Sequence, residues 1–319
     1  MTQKTSINEL KAFQELVIDA SAFLRYFGMV IAKSAPHIYL SALPFVPITS
    51  PISRHYLSIF PNTLSLKVGQ LSHWPAVEMV IPVGGQVNSV AFSWDGQWIV
   101  SGSDDNTICV WNATTGAMEG SPLTGHTGSV NSVAFSQDGQ WIVSGSNDHT
   151  ICVWNATTGA TEGSPLTGHT YSVTSVAFSQ DGQWIVSGSD DNTICVWNAT
   201  TGAMEGSPLT GHTDCVTSVA FSWDGQWIVS GSDDHTICVW NATTGAMEGS
   251  PLNGHTKSVT CVAFSQDGTW IVSGSYDCTI CVWNATTGAM EGKATDWAHW
   301  YSQNCCILTG WALDCFWLR

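Results

Sequence analysis

Basic residues are scarce in this sequence and nearly absent from its central part. The 319 residues contain 9 lysines and arginines against 25 aspartates and glutamates, which gives a formal net charge of −16. Between residues 83 and 292, Lys257 is the only basic residue. Phosphate backbones and anionic lipid surfaces are bound by clustered lysines and arginines. The composition therefore argues against nucleic acids and membranes as direct partners.

Long apolar runs and an export signal are missing as well. The first ten residues lack the basic-then-apolar layout of a secretory signal. The stretch Phe13–Ala32 is interrupted by Glu15, Asp19 and Arg25, which is not typical of a membrane span. We therefore expect a cytoplasmic protein, with the nucleus as the alternative.

Residues 1–36 carry apolar side chains at every third or fourth position, which is the pattern of an amphipathic helix. We expect this helical segment to dock on another protein surface in preference to lying on a membrane. The apolar positions are Leu10, Phe13, Leu16, Val17, Phe23, Leu24, Phe27, Val30 and Ile31.

The cysteines do not indicate a disulfide framework or a metal site. Five of the eleven recur every 43 residues in the same local sequence, so they are one cysteine copied five times. Cys278 and Cys281 are close in sequence, but on a strand their side chains would point to opposite faces. We expect no metal and no other cofactor. The copied cysteines are Cys109, Cys152, Cys195, Cys238 and Cys281.

The same 43-residue interval organises residues 83–292. In each unit a tryptophan is followed by asparagine, and four units also carry an upstream Gly-His pair. This pattern resembles the WD40 family, with Trp-Asn in place of Trp-Asp. The resemblance covers about two-thirds of the chain and implies an all-β β-propeller with five full four-stranded blades. The repeated tryptophans are Trp111, Trp154, Trp197, Trp240 and Trp283.

The residues of the second unit predict four antiparallel strands without reference to the family. Val130–Phe135 is rich in strand formers, and Asp138-Gly139 predicts a tight hairpin with positive φ angles. Trp141–Ser146 and Thr150–Trp154 follow as strands, and a weak outer strand is expected over Ala160–Leu166. Both faces of the third strand are apolar, so each sheet needs a neighbour on each side. Radial packing of blades meets that need.

A serine, a histidine and an aspartate recur with the tryptophan in four units. These residue types suggest nucleophilic catalysis. However, four identical active sites in one chain are implausible, and the family resemblance implies a structural hydrogen-bonded tetrad. Either the serine ten residues before the tryptophan or the one eight before it could join; we name the former. The tetrads are His126, Ser144, Asp148 and Trp154; His169, Ser187, Asp191 and Trp197; His212, Ser230, Asp234 and Trp240; and His255, Ser273, Asp277 and Trp283. The first unit has Val83 in place of the histidine and keeps Ser101, Asp105 and Trp111.

The five units differ from one another mainly at two places. One follows Gly-His-Thr, and the other surrounds the tetrad aspartate. The resemblance implies that both loops open on one face of a propeller, so we expect a protein partner to bind there; drift at tolerant loops is the alternative. The predicted contact residues are Gly128, Tyr171, Asp214, Lys257, Asn106, His149, Asn192, His235 and Tyr276, with Cys278 also variable.

Residues 37–82 predict a linker that contains the remains of a sixth blade. Leu64–Val68 and Val77–Ile81 align with strands of the later units, and Ser50-Pro51 predicts the start of a short helix. The stretches Ser34–Phe45, Phe60–Thr63 and Trp74-Pro75 resemble the linker that precedes WD40 arrays in fungal NACHT-type (STAND) signalling NTPases. The phosphate-binding motif of such NTPases does not occur in this sequence.

The repeat stops at Lys293, and residues 293–319 form a tail rich in tryptophan and cysteine. A truncated repeat array would explain this change. Five full units and a degenerate one predict an incomplete ring, in which an open blade edge could self-associate.

These features predict a non-catalytic scaffold or sensor. The resemblance of the linker and repeats implies that it is the sensor end of a fungal innate-recognition protein. Three alternatives stay open: a WD40 scaffold subunit of a nuclear or chromatin-modifying complex, a propeller hydrolase, and a non-functional gene fragment. The hydrolase is the least favoured, because every titratable cluster is copied from unit to unit.

Overall fold

The structure is a computed structural model that describes residues 16–17, 19–20, 22–24, 27, 43–47, 49–59 and 79–294. The chain divides into two units, Met1–Val80 and Ile81–Arg319. Each unit is considered separately.

The described part of the first unit is helical. Residues 16–17, 19–20, 22–24 and 27 have helical geometry, a 3₁₀ turn covers Leu43–Phe45, and helix α1 covers Pro51–Ile59. Of the apolar residues expected on one face of the N-terminal helix, Leu16, Val17 and Leu24 are exposed.

Helix α1 begins where the sequence predicts. The Ser50 hydroxyl accepts a hydrogen bond from the Ser53 amide at 3.2 Å, and Pro51 occupies the first helical position. The buried Asp19 carboxylate accepts hydrogen bonds from the Ser50 hydroxyl at 2.6 Å and from the Ile52 amide at 3.0 Å. The Asp19 side chain therefore caps the N-terminus of the helix, where free backbone amides need acceptors.

The predicted strands of a degenerate blade fall mostly outside the described residues. Leu64–Val68 lies there entirely, as do the first two residues of Val77–Ile81. Residues 79–81 are described and form no strand.

The structural unit that begins at Ile81 contains five four-stranded antiparallel sheets in chain order, which confirms the five predicted blades. The strands of blade 1 are β1 Val87–Phe92, β2 Trp98–Ser103, β3 Ile108–Asn112 and β4 Met118–Leu123; of blade 2, β5 Val130–Phe135, β6 Trp141–Ser146, β7 Thr150–Asn155 and β8 Leu166–Thr167; of blade 3, β9 Val173–Phe178, β10 Trp184–Ser189, β11 Thr193–Asn198 and β12 Met204–Thr210; of blade 4, β13 Val216–Phe221, β14 Trp227–Ser232, β15 Thr236–Asn241 and β16 Leu252–Asn253; of blade 5, β17 Val259–Phe264, β18 Trp270–Ser275, β19 Ile280–Asn284 and β20 Met290–Ala294.

The hairpin between β5 and β6 differs from the predicted one. Only Gly139 has a positive φ, of 69°, and its amide donates to the Ser136 carbonyl at 3.0 Å. The Asp138 carboxylate accepts hydrogen bonds from the Ser136 hydroxyl at 2.6 Å and from the Gln140 amide at 3.0 Å. Asp138 therefore stabilises the turn through its side chain and not through a left-handed backbone.

The outer strands are the least regular elements. In blade 2 the outer strand is Leu166–Thr167, preceded by a single bridge between Thr161 and Trp154, and not the longer strand expected over Ala160–Leu166. Gly163 has a positive φ of 68°, and Pro165 has no amide hydrogen to donate. In blade 5 the outer strand runs to Ala294, two residues beyond the predicted end of the repeats.

The blades bury their faces against one another. Val100 and Ile108 of blade 1 form one core cluster with Val130, Ile142 and Trp154 of blade 2, and equivalent clusters join the later blades. The first strands of successive blades lie side by side. The third strand of blade 2 is buried on both faces, as the sequence predicts.

One glycine in each second strand makes this packing possible. A Cβ atom on Gly145 would lie 2.6 Å from Cγ1 of Val173 in the next blade. The same contact recurs between Gly188 and Val216. Hydrogen bonds also cross the interface between blades 2 and 3, since the Val176 amide donates to the Ser132 hydroxyl at 3.0 Å.

Candidate functional site: the buried tetrads and the recognition face

Each of blades 2–5 brings its predicted histidine, serine, aspartate and tryptophan together. In blade 2, His126 Nδ1 lies 2.9 Å from Asp148 Oδ2, and His126 Nε2 lies 2.7 Å from Ser144 Oγ. The indole of Trp154 donates to Ser144 Oγ at 2.8 Å. The serine ten residues before the tryptophan is thus the one in contact with the indole.

The serine eight residues before the tryptophan has a different task. The Ser146 hydroxyl donates to the Gly128 carbonyl at 2.8 Å and accepts a hydrogen bond from the Asp148 amide at 3.1 Å. It therefore joins the loop after Gly-His to the turn before the third strand.

The geometry of blade 2 recurs in blades 3, 4 and 5. The three remaining His–Asp distances are 2.9, 2.9 and 3.1 Å, and the three His–Ser distances are all 2.8 Å. The residues in these contacts are His169, Ser187, Asp191 and Trp197; His212, Ser230, Asp234 and Trp240; and His255, Ser273, Asp277 and Trp283.

The aspartate of each tetrad is held in its ionised form. Burial by itself raises the pKa of Asp148, but hydrogen bonds from the Thr150 hydroxyl, the Thr127 amide and His126 outweigh it and leave that pKa below its usual value. The same balance lowers the pKa of the aspartates in blades 3, 4 and 5. Because the carboxylate is an acceptor only, His126 donates to it through Nδ1, and Nε2 is left to contact the Ser144 hydroxyl.

This proton arrangement matches a nucleophilic triad, but its location does not suit catalysis. The histidine side chains of all four tetrads are 0% exposed. Ser144 is also fully buried, and its oxygen accepts the indole hydrogen bond, so an acyl substrate cannot reach it. The tetrads can tie strands and loops together, and they offer no surface to a substrate.

The copied cysteines are not suited to nucleophilic chemistry either. Cys152 Sγ lies 4.0 Å from His126 Nδ1. Burial, followed by the nearby Asp148 charge, raises the pKa of Cys152 to about 11, and burial raises that of Cys195 to about 12. A thiol with such a pKa stays protonated near neutral pH.

Within the described ranges, no group of three histidine, cysteine, aspartate or glutamate side chains could hold a metal ion. None of the helices in the described part of the chain combines the length and the hydropathy that crossing a bilayer requires.

Blade 1 has three of the four tetrad residues but keeps only the hydrogen bond between the tryptophan and the serine. The Trp111 indole donates to Ser101 Oγ at 2.8 Å, as in the other blades. Asp105 is exposed and accepts a hydrogen bond from the Thr107 hydroxyl at 2.6 Å, which is the main cause of its lowered pKa. With Val83 in the histidine register, Ser101 and Asp105 are not linked through an imidazole.

The two variable loops of each blade lie against each other. The amide of Thr127, directly after His126, donates to Asp148 Oδ2 at 2.8 Å, and the equivalent bond forms in blades 3, 4 and 5. We call this end of the five blades, formed by the loop after Gly-His and the turn before the third strand, the recognition face. The aromatic ring of Tyr171 lies 6.2 Å from that of His149, so the recognition face is continuous from blade 2 to blade 3.

The predicted contact residues differ in how much they offer to a partner. Gly128 packs so closely that a Cβ atom there would lie 2.8 Å from the Asp148 amide, so it presents backbone only. Asn106, Asn192 and Gly128 are half-buried. The exposed residues are Tyr171, Asp214, Lys257, His149, His235 and Tyr276.

A backbone constraint explains part of the sequence variation at this face, and sequence comparison of the units missed it. The residue after the tetrad aspartate has a positive φ, between 65° and 72°, in all five blades. Asparagine and histidine adopt this conformation more readily than most residues. The constraint explains the choice of asparagine or histidine, but not that of Cys278. The five residues are Asn106, His149, Asn192, His235 and Cys278.

The family described as WD domain, G-beta repeat (WD40) matches residues 81–112, 119–155, 161–198, 205–241 and 248–284. The chain belongs to the WD40 family. Its match to the family covers one segment in each of the five blades, and the WD40 family is generally non-catalytic and mediates interactions between proteins.

A relative of this WD40 chain is the vegetative incompatibility protein HET-E-1 of Podospora anserina. The two are 44% identical over 102 residues, which is 32% of this chain and 8% of that relative. The chain thus matches only a small part of the relative's length. The likeness supports the WD40 family and the link to fungal STAND proteins that the linker and repeats predict.

Proposed function

We propose that residues 83–292 act as a non-catalytic recognition module, the scaffold or sensor part of a fungal STAND-type signalling protein. The observation that carries this proposal is the place where the units differ. The strands, the turns after the third strand and, in blades 2–5, the tetrads are nearly identical between blades, whereas exposed side chains on the recognition face are not. A partner that reads these differences contacts several blades at once.

Three residues are the strongest candidates for contact with that partner. Tyr171 and Tyr276 are exposed aromatic side chains, and aromatic side chains contribute much of the binding energy in protein interfaces. Lys257 is exposed and forms no ion pair with a described residue. It is a single cation among carboxylates and can fix the orientation of an acidic group on the partner.

Affinity capture from a fungal extract, quantified by mass spectrometry, tests this proposal. We expect proteins captured by the parent chain to be lost with Tyr171→Ala, Lys257→Glu and Tyr276→Ala. Thr200→Ala, on the exposed turn after the third strand of blade 3, is the matched control and should capture as the parent does. Normal capture by the three variants, combined with loss for Thr200→Ala, would place the partner on the opposite end.

The other proposed functions have less support. The burial of the tetrads speaks against a propeller hydrolase. No described residue favours a chromatin-complex scaffold over a cytoplasmic sensor, and we propose the cytoplasm as the location. Self-association through an open blade stays a prediction. It is supported by the exposure of Val87, Val90 and Phe92 on β1, whose equivalents in blade 2 pack against blade 1.

A further inference from the structure

The hairpin between the first and second strands of each blade lies at the opposite end from the recognition face. The first strand runs from the loop after Gly-His to this hairpin, and the antiparallel second strand returns to the recognition face. Because the first strands of successive blades are neighbours, their hairpins form one row at this end of the blades. We call this surface, formed by residues 93–97 and their equivalents in the other blades, the axial mouth.

Two tryptophans break the repeat at the axial mouth. The ring centroids of Trp94 in blade 1 and Trp223 in blade 4 lie 5.5 Å apart, with the planes at 72°. Their side chains are 46% and 40% exposed, so indole surface remains open to solvent beside the pair. Blades 2, 3 and 5 carry glutamine at this position, namely Gln137, Gln180 and Gln266.

Each hairpin also places a carboxylate beside this position. In blade 1, Asp95 Oδ1 accepts hydrogen bonds from the Ser93 hydroxyl at 2.6 Å and from the Gln97 amide at 3.0 Å. Its other oxygen has no hydrogen bond to a described residue. These bonds, first the one from Ser93, lower the pKa of Asp95 and keep it ionised. The equivalent exposed carboxylates are Asp138, Asp181, Asp224 and Asp267.

No positive charge of the repeats balances these five carboxylates. Lys257, the only basic residue between 83 and 292, lies on the recognition face. The axial mouth thus combines open indole surface and unbalanced negative charge.

From this combination we propose that the axial mouth binds an arginine-bearing segment of a partner protein. A guanidinium group is planar, so it can stack on an indole and donate to a carboxylate at the same time. An ammonium group offers a compact charge without the planar face. The partner bound here lies on the opposite end from the recognition face, so the two surfaces are independent.

A labelled heptapeptide of alternating glycine and arginine is the probe, measured by fluorescence anisotropy with the full chain at low salt. We expect Trp94→Gln and Trp223→Gln each to weaken binding about tenfold, a typical effect of losing a stacked cation. Neither substitution changes the net charge, so general attraction to an acidic protein is unaffected. Glutamine already occupies this turn in three blades, so both variants should fold, with a small and similar fall in melting temperature from the lost ring contact.

Two matched probes and two further variants sharpen the test. A peptide with citrulline in place of arginine keeps the shape without the charge and should bind at least tenfold more weakly; a lysine peptide should fall between them. Gln137→Trp adds an indole in blade 2, away from the pair, and should not restore binding to Trp94→Gln. Tyr171→Ala, on the recognition face, should bind the arginine peptide as the parent does.

Equal affinity of the parent and the two tryptophan variants would overturn the proposal. So would equal binding of the arginine and citrulline peptides, or no binding by the parent. None of these results would affect capture of a partner at the recognition face, which is measured with different variants.

Discussion

Blades 1 and 2 have the same strand sequences and different surroundings. Their first three strands read VNSVAF, WIVSGS and ICVWN in both, and they pair in the same register with the same bulge. Yet Phe92 of blade 1 is 61% exposed and its equivalent Phe135 is 7% exposed. The sequence within a blade therefore sets its hydrogen-bond register, whereas burial depends on the blade beside it.

The same pair of blades separates the two halves of the tetrad. The Ser–Trp hydrogen bond is 2.8 Å in both blades, although blade 1 has no histidine. Trp111 is 8% exposed and Trp154 is 1% exposed. The serine alone is thus enough to position the indole. The histidine connects the aspartate turn to that serine.

The largest expected effect comes from removing a fully enclosed indole. Trp197→Ala should lower the free energy of unfolding by about 3–5 kcal/mol, because it leaves a cavity and an unsatisfied serine. Trp111→Ala, in a blade without histidine, should cost less. Urea denaturation followed by circular dichroism measures both, with Thr200→Ala as a surface control. Equal losses at the two tryptophans would show that the complete tetrad adds nothing to the indole.

A smaller effect is expected from the histidine. His169→Ala removes one hydrogen bond from each of Ser187 and Asp191 and leaves a gap between them, so it should cost about 1–3 kcal/mol. The converse change, Val83→His, supplies blade 1 with the missing link and should stabilise it by about 1 kcal/mol. Melting temperatures check both changes. An unchanged melting temperature for His169→Ala would contradict the tetrad in blade 3, and any hydrolytic activity of the parent should survive that substitution.

The smallest effect per residue is a dependence of stability on pH. The tetrad aspartates have lowered pKa values in the folded chain, because the folded state stabilises the ionised carboxylate more than the unfolded state does. The stability they supply is complete above the unfolded pKa of about 4 and is lost as pH falls below it. Denaturant midpoints between neutral and acid pH should show this fall. Asp191→Asn should flatten the profile, and an identical profile for that variant would refute the assignment.

The strands of each blade could be predicted from sequence because both of their determinants are local. Residues 130–135 and 141–146 are strands with the predicted bounds, since β-branched and aromatic residues alternate and a turn signal separates them. The outer strand is exposed and carries glycine and proline, so its length depends on edge pairing that no periodicity encodes.

The candidate sites were predictable to different degrees. The tetrad residues could be found because one pattern is copied four times, although the choice of serine required the structure. The pairing of Trp94 with Trp223 could not be foreseen, because it depends on how sharply the row of blades curves. The positive φ at His149 and its equivalents was missed as well, and it needed only the rule that asparagine and histidine favour that conformation.

The four interfaces between the five blades are copies of one design, and this has a consequence for the number of repeats. Removing or adding exactly 43 residues would leave each remaining glycine opposite its valine, so every interface would be one that already exists. A chain with one repeat more or fewer therefore needs no new core. Such a change alters the set of exposed loops and leaves the packing that holds them unchanged.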